Sequence, residues 1–329
     1  MKELRARVIS QEKGIYRVRS EYGERLAAVS GKYIHTASTV SDYPAVGDYV
    51  LVQWSEDDSN GVITSLFPRK SCFIRKAAGN RKQEQIVAAN VDYVFLCMSL
   101  NNDFNLRRLE RYLSIAWDSG ATPVVVLTKA DLSDDVEVKR YEVESVAIGV
   151  DIITVSSFEN NYEAVYDYIY EGMTAAFIGS SGVGKSTLIN KLIGENVIET
   201  NGLRNDDKGR HTTTHRELIE LANGAFVIDT PGMREIGMWD SEKGIEVVFS
   251  DIEELEMKCK FSDCSHTNEP GCAVMEAIHD GTLTLDRWES YKKLKLENAY
   301  AADGSSYLAA KREKFKEIAI KNKANKKRY

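Results

Sequence analysis

One segment of eight residues has the composition and spacing of a loop that binds phosphate. Residues 179–186 match the pattern G-x-x-x-x-G-K-[ST], between a strand predicted over Thr174–Ile178 and a helix predicted over Thr187–Ile193. Glycines let the backbone curl so that successive N–H groups point at phosphate oxygens, at the positive end of the helix. We expect Lys185 to reach the β- and γ-phosphates of a nucleotide and to serve catalysis, and the Ser186 hydroxyl to bind Mg²⁺. The predicted phosphate-binding residues are Gly179, Ser180, Ser181, Gly182, Val183, Gly184, Lys185, Ser186 and Thr187.

A carboxylate for the same magnesium ion is expected at the end of a neighbouring strand. Asp229 follows the apolar segment 225–228 and opens the tetrapeptide DTPG, in which Pro231 and Gly232 allow the chain to turn. Turns often have this composition, but the end of an apolar strand is where a phosphate-loop enzyme holds its metal-binding Asp. The sequence therefore predicts that Asp229 contacts Mg²⁺ and that the backbone at Gly232 senses the γ-phosphate.

Two further segments have the residues needed to recognise guanine. Residues 128–131 read TKAD and match the pattern [NT]-K-x-D, directly after a strand predicted over Pro123–Leu127. The carboxylate of Asp131 can accept hydrogen bonds from N1–H and the exocyclic amine of guanine, which adenine does not offer. Lys129 can lie along the base, and two serines after the next apolar strand can support it. The predicted base-binding residues are Thr128, Lys129, Ala130, Asp131, Ser156 and Ser157.

The guanine-binding segments precede the phosphate loop in the chain, whereas the usual order places the phosphate loop first. In a sheet of parallel strands with helices on both faces, ligands bind at the carboxyl ends of the strands. The site therefore depends on where the strand ends lie in space, and a circularly permuted chain can build the same pocket. The Asp229 segment then leads directly into the C-terminal region. A conformational change at the γ-phosphate can therefore be transmitted to that region.

Four potential metal ligands lie close together in the C-terminal third of the chain. Cys259, Cys264, His266 and Cys272 have the spacing C-x₄-C-x-H-x₅-C. Three thiolates and one imidazole are the donors of a closed, tetrahedral structural Zn²⁺ site. The surrounding segment is polar and rich in turn residues, so a bound metal would supply folding energy that it otherwise lacks. Free buried cysteines are the alternative; the two other cysteines, Cys72 and Cys97, are expected in the core.

Three kinds of structure are needed to position these residues. Residues 1 to about 68 show five closely spaced β-segments, which favours a small OB-type barrel. From about residue 90, apolar strands alternate with helices, which indicates a parallel sheet covered on both faces. Beyond about residue 240 the pattern is helical apart from the Cys/His segment. The predicted domains are an OB-like domain at 1–68, a circularly permuted α/β GTPase domain at 69–238, and a helical zinc-binding domain with a basic tail at 239–329.

Composition and charge limit the class of protein further. The 329 residues carry a net charge of −7, which argues against indiscriminate coating of nucleic acid. Two local basic runs, at 69–82 and 311–329, contrast with that total and are either solvated surface or contacts for RNA. The sequence has no run of about 18 apolar residues and no signal-peptide pattern, so we expect a cytoplasmic protein without membrane contact. No heptad or long apolar face indicates a dimer, and a monomer is expected.

The order of the motifs, together with the flanking regions, resembles the ribosome small subunit-dependent GTPase A family (RsgA, also called YjeQ or YloQ). The resemblance covers nearly the whole chain, from the OB-like domain through the permuted GTPase to the zinc-binding helical domain. Residues 208–214, KGRHTTT, look like the family's switch I, and the Cys/His spacing looks like the family's. The resemblance implies a low GTPase activity that the small ribosomal subunit stimulates, and a role late in the maturation of that subunit.

These motifs leave open which residue orients the hydrolytic water. Many GTPases place a glutamine just after the Asp-x-x-Gly segment, whereas Met233 stands there in this chain and cannot hydrogen-bond water in that way. His211, within the segment that resembles switch I, is the best candidate, because an imidazole can accept a proton or align water. A plain loop residue is the alternative. Thr214 is expected to give Mg²⁺ a second hydroxyl, with Thr212 and Thr213 as alternatives.

Three classes of function remain in competition. A ribosome-associated GTPase would select guanine through Asp131 and hold ribosomal RNA with its flanking domains, and this is the function that we expect. A phosphate-loop ATPase or kinase acting on a small molecule would show no base discrimination by Asp131. A non-catalytic, zinc-containing RNA-binding protein is disfavoured, because Lys185, Ser186 and Asp229 are intact. The basic residues expected to contact RNA are Arg75, Lys76, Arg81, Lys82 and those of the tail.

Overall fold

The computed structural model describes residues 2–12, 14–54, 60–76, 84–156, 161–194, 217–229, 242–267 and 269–302. The chain divides into two compact units, Met1–Gly237 and Met238–Tyr329. The predicted limit between barrel and GTPase domain, at residues 68 and 69, lies inside the first unit. The three domain ranges therefore stay predictions.

The first unit begins with a closed five-stranded barrel. Its strands are β1 (Lys2–Glu12), β2 (Ile15–Ser20), β3 (Gly23–Val29), β4 (Tyr49–Trp54) and β5 (Asn60–Leu66). They pair in the order β1-β2-β3-β5-β4, with β3 and β5 parallel, and β4 pairs back to β1 to close the barrel. Inward side chains alternate along the strands, so Val8, Val18 and Val50 are fully buried. This arrangement confirms the predicted OB-type fold.

Six strands beyond the barrel form the central sheet of the first unit and, with the helices between them, confirm the predicted α/β architecture. Five parallel strands, β10-β9-β8-β11-β13, are followed by the antiparallel strand β12. The central strands are apolar on both faces, as expected of a sheet with helices on both sides. The bounds are β8 (Tyr93–Ser99), β9 (Thr122–Thr128), β10 (Asp151–Thr154), β11 (Thr174–Ile178), β12 (Glu217–Glu220) and β13 (Phe226–Asp229).

A helix follows each of the strands β8, β9, β10 and β11 in the chain. The helix after β8 begins after Asn105, whose side chain accepts a hydrogen bond from the N–H of Arg108 at 2.9 Å. It ends at Gly120, whose positive φ of 83° suits glycine. The helices are α2 (Leu106–Ser119), α3 (Val136–Glu144), α4 (Glu163–Tyr166) and α5 (Lys185–Ile193).

One helix, one hairpin and one further strand of the first unit are absent from the sequence prediction. Helix α1 (Gly31–Thr36) connects β3 to β4 and begins at Ser30, which accepts a hydrogen bond from the N–H of Tyr33. A two-stranded hairpin, β6 (Cys72–Lys76) and β7 (Glu84–Ala89), precedes the central sheet. Strand β12 is also absent from that prediction. Each of them is too short for its periodicity to stand out in the sequence.

The barrel and the central sheet are continuous. Strand β1 pairs antiparallel with β12 through Ser10 and Glu217, which joins both into one sheet of eleven strands. Arg7 on β1 is buried, and its Nη2 donates a hydrogen bond to Oγ1 of Thr174 at 2.6 Å. A barrel side chain thus contacts the first residue of β11, the strand that leads into the phosphate loop.

The second unit is helical over the residues that the structure describes there. Its helices are α6 (Glu242–Val248), α7 (Ser250–Met257), α8 (Ala273–Asp280) and α9 (Leu285–Ala302). Phe249, Ile252 and Tyr291 are buried between them. Arg287 on α9 donates to both carboxylate oxygens of Asp251 on α7, at 2.9 and 2.7 Å. Among the helices that the structure describes, none has the length and apolar character needed to cross a bilayer.

Candidate nucleotide site and metal cluster

The segments predicted to bind nucleotide meet at one edge of the central sheet. Register places Ile178 of β11 beside Leu96 of β8, and Leu127 of β9 beside Met98 of β8. Thr154 of β10 lies beside Leu127. Because these strands are parallel, the phosphate loop, the segment 128–131 and Ser156 all leave the sheet at the carboxyl ends. Asp229 ends β13 at this edge, level with Phe177, since Ile228 pairs with Ala176.

A side-chain hydrogen bond joins the segment 128–131 to the phosphate loop. Oγ1 of Thr128 donates to the carbonyl oxygen of Val183 at 2.6 Å, and Thr128 is 4% exposed. Thr128 is the first residue of the segment 128–131, so this contact fixes the start of that segment against the phosphate loop. In the sequence Thr128 and Val183 are 55 residues apart, and the two segments stand in permuted order. The structure brings them together.

The phosphate loop packs tightly on the strand beside it. A Cβ atom built on Gly179 would lie 2.5 Å from the carbonyl oxygen of Cys97, so only glycine fits there. Lys185, 8% exposed, donates from Nζ to the carbonyl oxygen of Gly179 at 2.6 Å and also to that of Ser180. Its ammonium group therefore lies inside the curl of the loop. Ser186 is half-buried in the first turn of α5.

Two successive hydrogen bonds between protein residues orient the carboxylate of Asp131. Oδ1 of Asp131 accepts a hydrogen bond from Oγ of Ser156 at 2.6 Å. The N–H of Ser156 donates in turn to Oδ1 of Asn161, also at 2.6 Å. Lys129, which precedes the short turn at Ala130–Leu132, has a φ of 59°, an uncommon conformation for a residue with a side chain. Asn161 was not predicted, since no motif places an asparagine there.

A second unpredicted residue contacts the phosphate loop itself. Oγ of Ser180 donates a hydrogen bond to Oδ2 of Asp103, and Arg108 donates to Oδ1 of the same carboxylate at 2.8 Å. Burial alone would raise the pKa of Asp103, but the hydrogen bonds from Ser180 and Arg108 hold that pKa below its ordinary value. Asp103 is therefore a charged anchor for the first turn of the loop. Its position before α2 gives no local signal of this role.

Some of the predicted site residues lie outside the described residues. These are Ser157, His211, Thr214 with its alternatives Thr212 and Thr213, Pro231, Gly232, Met233, Arg81, Lys82 and the tail at 311–329. Of the predicted RNA contacts, Arg75 and Lys76 are described, on β6 of the hairpin. There Arg75 donates two hydrogen bonds to Oε1 of Gln85, at 3.1 and 3.0 Å.

The four predicted metal ligands form one cluster in the second unit. The Sγ atoms of Cys259, Cys264 and Cys272 and a ring nitrogen of His266 all lie within 4.8 Å of one another. Nδ1 of His266 is the nitrogen on that side, at 3.5 Å from Sγ of Cys259 and 3.6 Å from Sγ of Cys272. Three thiols and one imidazole at this separation fit a closed tetrahedral Zn²⁺ site. Of the other cysteines, Cys97 is buried, as expected, and Cys72 is half-buried.

The opposite nitrogen of His266 has a carboxylate partner. Nε2 lies 3.4 Å from Oε1 of Glu256 on α7. Oε2 of Glu256 accepts a hydrogen bond from the hydroxyl of Tyr291 at 2.9 Å, and Lys295 lies 3.9 Å from the same oxygen. Trp288 meets the His266 ring edge to face at 5.5 Å. A carboxylate behind a metal-facing imidazole fixes its tautomer, so that Nδ1 is the atom free to bind metal.

Comparison with known proteins gives relatives over nearly the whole chain. The sequence model of the family described as RsgA GTPase matches residues 66–239. The small ribosomal subunit biogenesis GTPase RsgA 2 of Lactiplantibacillus plantarum is 48% identical over 308 residues, which are 93% of this chain and 86% of the relative. RsgA 1 of Listeria innocua, with the same description, is 47% identical over 310 residues, 94% of this chain and 87% of the relative.

Two solved structures are similar to the fold of this chain. The crystal structure of YjeQ from Thermotoga maritima gives a TM-score of 0.65 at 28% identity, over 89% of this chain and 97% of that one. The crystal structure of YloQ, described as a circularly permuted GTPase, gives a TM-score of 0.61 at 26% identity, over 89% of this chain and 96% of that one.

Proposed function

This chain belongs to the RsgA GTPase family, and on that premise we propose that it binds GTP, hydrolyses it to GDP and phosphate, and assists the late maturation of the small ribosomal subunit. The observation that carries this proposal is the hydrogen bond from Thr128 to Val183, at 2.6 Å. It holds the base-binding segment against the phosphate loop, and one nucleotide can then contact both.

Asp131 selects the base. Its carboxylate, oriented by Ser156, accepts hydrogen bonds from N1–H and the exocyclic amine of guanine. Adenine presents an acceptor at N1 and no amine at C2, so ATP would leave the carboxylate unpaired, which is costly. Lys129, Ala130 and Ser157 complete the contacts to the base.

The phosphate loop binds the triphosphate. Backbone N–H groups of residues 179–184 and the start of α5 face the phosphate oxygens, together with Thr187. Lys185, already inside the loop, supplies a positive charge to the β- and γ-phosphates. Ser186, Asp229 and Thr214 hold Mg²⁺, which when bound neutralises charge on the β- and γ-oxygens. Gly232 contributes a backbone N–H near the γ-phosphate.

Hydrolysis transfers the γ-phosphoryl group to water. The water oxygen attacks the γ-phosphorus in line with the β–γ bridging oxygen, which leaves on GDP, and the water proton goes to a base or to the phosphate itself. Met233 cannot align that water, and we assign this role to His211. The small subunit would stimulate the reaction by holding His211 in line with the attacking water.

The second unit serves structure and binding. Cys259, Cys264, His266 and Cys272 hold one Zn²⁺, whose role is to fold the loop that carries them. The barrel at 1–68, the GTPase domain at 69–238 and the helical domain at 239–329 act as a monomer in the cytoplasm. Ribosomal RNA is contacted through the basic residues Arg75, Lys76, Arg81 and Lys82 and through the basic tail.

Phosphate release from GTP, measured with and without purified small subunits, tests this function. We expect slow release alone and faster release with subunits, and no release at either condition from Lys185→Ala. His211→Ala should bind GTP normally and lose the stimulated rate. Lys191→Ala, on the exposed side of α5, is the matched control. Equal competition by ATP would indicate the ATPase or kinase instead, and absence of release with subunits would indicate the non-catalytic RNA-binding protein.

A further inference from the structure

A cleft of about 400 Å³ lies where the barrel meets the central sheet. Arg5 and Arg7 of β1, Arg19 of β2 and Tyr49 of β4 line its barrel side, and Phe226 of β13 lines its sheet side. Phe226 is the first residue of β13, whereas Asp229 is the last. The cleft therefore lies at the amino ends of the parallel strands, opposite to the nucleotide site, and the GTPase assignment gives it no role.

Strand register places three arginines on one outer face of the barrel. Arg5 and Arg7 are two residues apart on β1, so they point to the same side, and Arg7 lies directly opposite Arg19 on β2. Like charges opposite each other destabilise a sheet. Arg19 is balanced by ion pairs with Glu24 and Glu220. Arg5 is exposed and has no ion pair or hydrogen bond with the described residues; its guanidinium stacks on Tyr49 at 4.2 Å.

Arg7 is the buried member of this group. It is 6% exposed, donates from Nε to the carbonyl oxygen of Gly47 at 3.3 Å, and reaches Thr174 from Nη2. Nη1 has no hydrogen-bond partner among the described residues, although it is buried. Buried donors are normally satisfied, so a missing acceptor at this place indicates a ligand or ordered solvent.

The carboxylates near Arg7 are committed to other cations. Asp48 pairs with Arg69, which donates to it at 2.7 Å, and Asp92 pairs with Lys70. On the cleft itself Glu21 is the sole acidic residue among those that line it. Arg5 and Arg7 therefore have no ion-pair partner among the described residues.

The stacking geometry determines which ligand fits. The guanidinium of Arg7 lies over the rings of Tyr49 and Phe226, at 5.0 and 4.6 Å. With Nε and Nη2 bonded to Gly47 and Thr174, the stacked guanidinium presents the in-plane N–H groups of Nη1 to an anion such as phosphate, which offers several oxygens. We propose that this cleft binds a phosphate group, carried either by a single-stranded RNA backbone or by a free phosphorylated ligand.

Binding is best measured while the GTP site is blocked, because the phosphate loop also binds phosphates. The full-length protein is saturated with GDP and Mg²⁺ and titrated with a short fluorescent single-stranded RNA, followed by anisotropy. A second titration uses pyrophosphate, followed by calorimetry. Arg5→Ala removes a cation without an ion pair and should leave the fold intact. We expect it to weaken binding of one probe by about tenfold, the effect of one charge-assisted hydrogen bond.

Arg25→Ala is the matched control, because Arg25 is an exposed barrel arginine outside the cleft. Arg7→Lys keeps the buried charge but loses the planar fork, so it should weaken the same probe while the melting temperature is monitored. A loss confined to RNA assigns the phosphate to a polynucleotide, and a loss confined to pyrophosphate assigns it to a free ligand. The proposal is overturned if Arg5→Ala and Arg7→Lys both bind the two probes as the unsubstituted protein does. It is also overturned if Arg25→Ala loses affinity equally. Arg7 would then have only a structural role. The GTP hydrolysis rate is measured separately. The proposed GTPase function and the proposed phosphate-binding cleft can therefore fail independently of each other.

Discussion

The nucleotide site and the Cys/His cluster are both small polar sites, but different forces hold them in place. The nucleotide site is built on strands whose side chains, such as Leu96, Val126 and Ile178, are fully buried, and its parts come from residues far apart in the chain. The metal cluster lies within residues 259–272, where Cys272 is the one ligand that is buried. Sheet packing therefore preorganises the first site, whereas we expect the second to depend on the metal that its donors fit.

Metal removal should have the largest effect and should be confined to one region. A structural Zn²⁺ contributes on the order of 10 kcal/mol to the folding of a small metal-binding segment. We expect chelation, or Cys272→Ser, to abolish protection from hydrogen exchange in α7 and α8 while GTP affinity stays within twofold. Exchange measured by mass spectrometry, with GTP binding measured in parallel, checks this. Retained protection of α7 and α8 after chelation would mean that apolar packing alone holds the cluster.

Lys185→Ala should disable the nucleotide site without affecting the metal cluster. Loss of a positive group that faces the phosphates should lower the GTP hydrolysis rate by at least about 100-fold. Zinc content by atomic absorption and the helical content by circular dichroism should be unchanged. The control is Lys191→Ala, which makes the same change on the exposed side of α5. A lower zinc content in Lys185→Ala would contradict the independence of the two sites.

Asp131→Asn should change the base preference while the phosphate loop stays intact. Two charge-assisted hydrogen bonds to guanine are weakened, which corresponds to about 100-fold in GTP affinity. Affinity for ATP, measured by competition, should change little, so the GTP-to-ATP ratio collapses. Asp134→Asn alters an exposed carboxylate three residues further along and should have no effect. An unchanged ratio in Asp131→Asn would remove Asp131 from the base contact.

Glu256→Gln tests whether the metal cluster has some preorganisation of its own. Glutamine keeps the size and an acceptor oxygen but loses the charge behind Nε2 of His266, so we expect zinc affinity to fall by about tenfold. Competition with a chromophoric chelator measures this, and ¹⁵N shifts of His266 report its tautomer. Glu254→Gln, on an exposed residue paired with Lys258 at 4.0 Å, is the control. Equal zinc affinities in both variants would mean that the four ligands alone position the imidazole.

The same contrast explains what the sequence could predict. Four metal ligands within fourteen residues reveal themselves by spacing, and the phosphate loop by a motif between a strand and a helix. The strand ends and the barrel were also predictable, because alternating and continuous apolar segments have distinct periods. Asp103, Asn161 and Glu256 were not, since each acts through a hydrogen bond to a residue on another segment. Arg7 likewise gains its buried contacts from β11 and β13, which follow it by more than 160 residues.

The close packing of Gly179 on Cys97 gives the chain an internal reporter. Burial raises the pKa of the Cys97 thiol to about 12, so at neutral pH this thiol is protonated and shielded from reagents. Alkylation of Cys97 then requires β8 and the loop beside it to separate transiently. The rate of that alkylation, resolved from the other cysteines by peptide mapping, measures how often the floor of the nucleotide pocket opens and how far GTP slows it.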